Sequence, residues 1–103
     1  MNLDGLPTSA LTDVEAIIDH DLAEAGVTVA DRFLTALSET LVLIRQQPGI
    51  GSTRLAHVLQ RPTLWVWPMH GFPYLVCYRV TDTAVEIWRI VHMSRDIPTT
   101  LRD

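Results

Sequence analysis

The hydrophobic period changes once along this chain, and that change limits the folds open to it. From Ser9 to Ile44 apolar residues recur every three or four positions, whereas from Leu64 to His92 they gather in short runs rich in Val, Ile, Tyr and Trp. The first spacing lines one stripe of an α-helix; the second suits strands, whose side chains alternate between two faces. Helices followed by strands predict an α+β domain with separate layers, not alternating units around a parallel sheet.

The first helical stripe is Leu11, Val14, Ile17, Ile18, Leu22 and Ala25, with Asp13, Glu15, Asp19 and Glu24 mainly on the other face. Ser9 or Thr12 is the expected N-cap, Thr12 forming a capping box with Glu15, and Gly26 is the expected stop. Thr28 is the expected cap of a second helix, with Asp31 in its first turn and a stripe of Ala30, Phe33, Leu37, Leu41 and Ile44 that Pro48-Gly49 ends. A link of about three residues makes the pair an αα-hairpin. Upstream, Asn2 to Leu6 reads as a short edge strand ending at Pro7.

Gly49 to Pro62 reads as a long connection with a short helical turn around Leu55 to Leu59. Three strands come next, Leu64 to Trp67, Tyr74 to Val80 and Ala84 to His92, the last two joined tightly through Thr81-Asp82-Thr83. The expected order is β-α-α-β-β-β: a two-layer domain with the αα-hairpin packed on a mainly antiparallel sheet. Strict alternation puts Tyr74, Val76, Tyr78 and Val80 opposite Leu75, Cys77 and Arg79, and Val85, Ile87, Arg89 and Val91 opposite Glu86, Trp88, Ile90 and His92. Neither face is wholly apolar, so one packs on the helices and the other is expected to receive a partner.

Residues 1–103 are read as one domain, because half of this length would bury too little apolar surface to stand alone. An apolar share of 48% is enough for a folded core. No run approaches the roughly 20 apolar residues of a membrane span, and Met1 to Pro7 lack a basic-then-apolar leader, so a soluble, cytoplasmic chain is expected. Cys77, the lone cysteine, sits in the run Leu75 to Tyr78 and is expected in the core. His20, His57, His70 and His92 have no metal-ligand spacing, so neither metal nor cofactor is expected.

Charge is divided unevenly. Met1 to Ile44 carries eight acids against one arginine, a balance of −7, and Arg45 to Asp103 carries seven arginines against four acids, a balance of +3. There is no lysine, so every basic side chain is a guanidinium suited to bidentate contact with a carboxylate or phosphate.

The segment from Phe72 to Val80, the short turn after it, and the run from Val85 through Arg89, His92, Ser94, Arg95 and Asp96 to Pro98 together resemble the C-terminal half of ParE-like toxins of the RelE/ParE superfamily. Ala30-Asp31-Arg32-Phe33 with Leu37, and Gln47-Pro48-Gly49-Ile50-Gly51-Ser52, resemble that family's helix and loop signatures. The likeness runs from about Pro7 to Pro98. It departs at Met93, where glycine is commoner, and at the weak N-terminal strand. The resemblance implies a type II toxin–antitoxin system in which a ParD-like antitoxin wraps the toxin with its C-terminal segment. It further implies that the target is DNA gyrase, stalled on cleaved DNA.

The rival within the superfamily is the RelE-like, ribosome-dependent mRNA endoribonuclease. That chemistry needs a base, an acid and cations around the phosphate. The candidates are Arg54, Arg61, Arg79 and Arg89 as cations, His92 as acid or base, and Tyr78 as a donor, spread over three elements. An acidic chain also forgoes much of the counterion release that drives binding to RNA. Action by protein binding is therefore the expectation, with no catalytic residue assigned.

The expected target contact is the last strand and tail, Arg89, His92, Ser94 and Arg95, presented by a rigid strand. His92 is expected as a hydrogen-bonded end-cap and Arg95-Asp96 as a local ion pair, with Pro98 stopping further pairing. Trp65, Trp67 and Arg79 are the expected antitoxin contacts, since tryptophans two apart on one strand suit a buried partner surface.

Overall fold

The computed structural model describes residues 5–56 and 60–97. Two helices precede a three-stranded antiparallel sheet: α1 (Thr8–Ala16) runs into a π-helical turn (Ile17–Asp21), then come α2 (Val27–Gln46), a short 3-10 turn (Pro48–Ile50), β1 (Leu64–Pro68), β2 (Tyr74–Val80) and β3 (Val85–His92), in the spatial order β1-β2-β3. Of the expected N-terminal strand, residues 2–4 lie outside the described residues; Gly5 is in a turn, and Leu6 is buried in the core without being part of a strand.

Both helix starts differ from the expected caps. α1 begins directly after Pro7, which sits at the capping position without any side-chain cap. Proline already has the φ a helix entrance needs and lacks a donor that would go unpaired there. Ser9 and Thr12 therefore lie inside the helix, and the Ser9 hydroxyl reaches across to the Trp88 carbonyl at 3.3 Å. α2 starts one residue before Thr28, after Gly26 at φ 91°, a left-handed setting in which glycine avoids a steric penalty. The stop at Pro48 agrees with the sequence.

The π-helical turn closes with Leu22 N–H donating to the Ile17 carbonyl at 3.0 Å, five residues back. The extra residue rotates the side chains that follow it about the helix axis, so the stripe loses its phase beyond Ile17. Ala10, Val14 and Ile17 are buried, Ile18 and Leu22 pack at the margin, and Leu11 and Ala25 are exposed. α2 keeps its register: Phe33, Leu37, Leu41 and Ile44 are fully buried. The buried Thr40 hydroxyl is satisfied by the Ala36 carbonyl at 2.7 Å.

β3 carries a bulge. Cys77 pairs with Arg89 and Tyr78 with Ile87, so Trp88 is the unpaired extra residue. A bulge shifts alternation by one position. Ile87 and Ile90 consequently share the helix-side core with Tyr74, Val76 and Tyr78, while Trp88 and Val91 pack with Leu64, Val66, Leu75, Cys77 and Ile97 on the opposite face. Strict alternation through β3, as expected from sequence, is corrected at this point. On the helix side Phe33 meets the rings of Phe72 and Tyr74 edge-on at 5.4 and 5.7 Å, a favoured aromatic geometry.

The rims of the sheet are occupied. On β1, Val66 exchanges both backbone hydrogen bonds with Ser52 at 2.9 Å, Leu64 N–H donates to the Arg61 carbonyl, and Pro68 has no N–H to offer. On β3, Ile90 N–H donates to the Asp13 carboxylate at 3.0 Å, and His92 exchanges bonds with Asp96.

Candidate functional site

The chemically dense region is a cleft of about 280 Å3 between the α1 end of the hairpin and the C-terminal end of β3. It brings together Arg89, His92 and Arg95, three of the four residues expected to touch a target. Ser94 comes next on the exposed turn beside it, its N–H donating to His92 Nδ1.

Neither arginine stands alone. Arg89 grips Asp13 with Nε at 2.6 Å and Nη2 at 2.8 Å, and the same carboxylate accepts the Ile90 N–H. Arg95 grips Asp21 with Nη1 at 2.9 Å and Nη2 at 2.5 Å. The Tyr74 hydroxyl also donates to Asp21. The Arg95 guanidinium and the phenol hold the Asp21 carboxyl down at about 2 against the opposing effect of burial. Burial, reinforced by the neighbouring carboxylate, pushes the Tyr74 phenol up to about 12. Hydrogen bonding to Asp13 raises Arg89 above its already high value. Both guanidiniums stay about half exposed, 42% for Arg89 and 56% for Arg95, so each keeps an open edge.

His92 is an end-cap. Its Nδ1 accepts the backbone N–H of Ser94 at 3.0 Å and of Arg95 at 3.2 Å, which puts the proton of the neutral ring on Nε2. Its ring meets Tyr74 edge-on at 5.2 Å. The expected Arg95-Asp96 ion pair is replaced: Arg95 turns to Asp21, and Asp96 instead accepts the His92 N–H at 2.5 Å. Pro98 lies outside the described residues. The two carboxylates were missed by sequence reasoning, which left Asp13 on the outer helix face and gave Asp21 no role. The uneven charge was the one signal to hand, but nothing marked the π-helical turn that aims Asp21.

The groups weighed for nuclease chemistry are not gathered. Tyr78 is fully buried, its hydroxyl donating to the Pro48 carbonyl at 2.7 Å and accepting Gly51 N–H at 3.0 Å. Arg61 and Arg79 line a second cleft, of about 440 Å3, and Arg54 lines a third beside Leu55 and Met93. Arg79 pairs with Glu86 across the strands, and Arg61 stacks on the Trp88 ring at 4.5 Å. Trp65 and Trp67 are half-buried against the helix-side core, Trp65 stacked with Tyr78 at 6.4 Å, and Trp67 also borders a groove formed with α2 and His70. Cys77 is buried, and that burial pushes its thiol up to about 12. Among the described residues, no three His, Cys, Asp or Glu side chains are grouped to hold a metal, and no helix is long and apolar enough to cross a membrane.

A family model described as the ParE toxin of the type II toxin–antitoxin system, parDE, matches residues 6–97. Among solved structures, one described as the chromosomal ParDE toxin–antitoxin system from P. aeruginosa is similar at a TM-score of 0.71 and 22% identity, over 86% of this chain and 92% of that one. No curated protein matches.

Proposed function

The chain belongs to the ParE toxin family of type II toxin–antitoxin systems, and from that premise we propose that it arrests growth by binding DNA gyrase and is held inactive by a ParD-like antitoxin. The observation that carries binding over catalysis is the fate of the two proton-transfer candidates. The Tyr78 hydroxyl is sealed under the loop at Pro48 to Gly51, and His92 Nδ1 is consumed by two backbone donors at the far end of the sheet. A general acid–base pair needs both groups within reach of one substrate.

The target contact is assigned to the half-exposed edges of Arg89 and Arg95 with His92 and Ser94. The antitoxin is assigned to both faces of the sheet, to Trp65 and Trp67 on the helix side and to Arg79 in the cleft on the other. Induced expression without a partner should stop growth with a DNA-damage response first, and the purified chain should inhibit gyrase supercoiling. Cleavage of mRNA within codons on the ribosome, with DNA intact, would instead establish the RelE-like reading.

A further inference from the structure

Four arginines of the described residues carry no ion pair: Arg32, Arg45, Arg54 and Arg61. Of these, Arg61 lies over an aromatic ring. The β3 bulge turns Trp88 onto the face away from the helices, and Arg61 lies flat over its indole. A guanidinium held by its face is fixed in orientation while its edge donors still point outward. Gln60, immediately before it, takes φ 56°, a left-handed setting that a side chain adopts only when its surroundings enforce it. The cleft is bounded by Pro62, Leu64 and Ile87, by Pro7 and Ser9 at the start of α1, and by Arg79, whose partner Glu86 engages it through one oxygen.

We propose that the Arg61–Trp88 surface is a docking site for an acidic segment of a protein partner that also carries an apolar side chain, its carboxylate held by the edge of Arg61 and its apolar side chain lying against Trp88. This deepens the antitoxin part of the function proposed above and rests on it for the partner's role, not for the binding chemistry. The occupant is set by complementarity. Among the described residues the one carboxylate on the cleft wall, Glu86, is taken by Arg79, which leaves Arg61 without a counter-charge beside an aromatic anchor, and Arg and Trp are among the residue types that most often dominate protein interfaces. A nucleic-acid strand is the poorer fit, since the chain's net charge is −4 and few cations remain free to neutralise phosphates.

The test uses the full chain, labelled with nitrogen-15, and a capped twelve-residue peptide of glutamate, alanine and leucine. Expected are saturable shifts of the Trp88 indole and Arg61 Nε signals, binding at least tenfold weaker for the glutamine counterpart, and a similar loss in Arg61→Gln with the remaining spectrum unchanged. Arg79→Gln should lose less, because its charge is already met. The proposal is overturned by equal binding of the glutamine peptide, by shifts centred on Trp65 and Trp67, by a larger loss in Arg79→Gln, by stronger binding of a thymidine oligonucleotide, or by no binding. Each of these outcomes leaves the growth-arrest experiment untouched, so failure here and failure of the toxin reading are separately visible.

Discussion

Asp13 answers three donors with one carboxylate, two from Arg89 and one from the Ile90 backbone. Removing it strands a strand-edge N–H and a guanidinium together, so Asp13→Ala should lower stability by about 2 kcal/mol, read from urea denaturation, with Asp13→Asn recovering part of the loss. Arg89→Ala leaves the carboxylate, 13% exposed, with only the Ile90 donor, and should cost about 1 kcal/mol. Loss of growth arrest in an Arg89 variant must therefore be read beside its folding. Asp21 makes a pH-dependent contribution. Its acidity is increased on folding, so its stabilisation is complete above 3.8 and disappears as pH falls through about 2. Thermal melts across that range should flatten in Asp21→Asn; an unchanged slope would mean that other carboxylates govern acid unfolding.

The loop leaving α2 is tied down at Tyr78, whose hydroxyl bridges the Pro48 carbonyl and the Gly51 N–H, and again at the Ser52 bridge to β1. A Cβ at residue 51 would stand 2.3 Å from that hydroxyl and 2.9 Å from the Val66 carbonyl. Gly51→Ala should thus cost about 1–3 kcal/mol by overpacking, seen as a lower Tm, and should weaken the Ser52 bridge to β1. The elements themselves were legible from hydropathy, because α2 repeats its stripe for about four turns and β2 has the bounds its apolar and aromatic run predicts. The π-helical turn and the Trp88 bulge were not legible. Each inserts one residue into a regular element without altering its composition, so periodicity carries on to either side and only the phase is lost. The site depends on both, which is why Arg89 and Arg95 were visible as a cationic tail while their partners Asp13 and Asp21 were not.

Across the whole molecule the acidic hairpin and the arginine-rich sheet are electrically joined by the Asp13–Arg89 and Asp21–Arg95 pairs. Mechanically they are joined through β2, whose neighbouring residues Val76 and Cys77 belong to the two opposite apolar clusters. A strand shared in this way cannot release one cluster and keep the other. Heat or urea should therefore unfold the chain in one step, with helix circular dichroism and the fluorescence of Trp65 and Trp67 on one face and Trp88 on the other changing together. Separate transitions would show two cooperative units. The occupied rims have a consequence for how copies of this chain meet. A bare β-edge is a template, and concentration alone is enough for one molecule to extend the sheet of the next. Here Ser52, Pro68, Asp13 and Asp96 already fill or remove the places where such copying would start. Crowded together, these molecules offer one another side chains to recognise but little backbone to continue, and fibre growth is denied its seed.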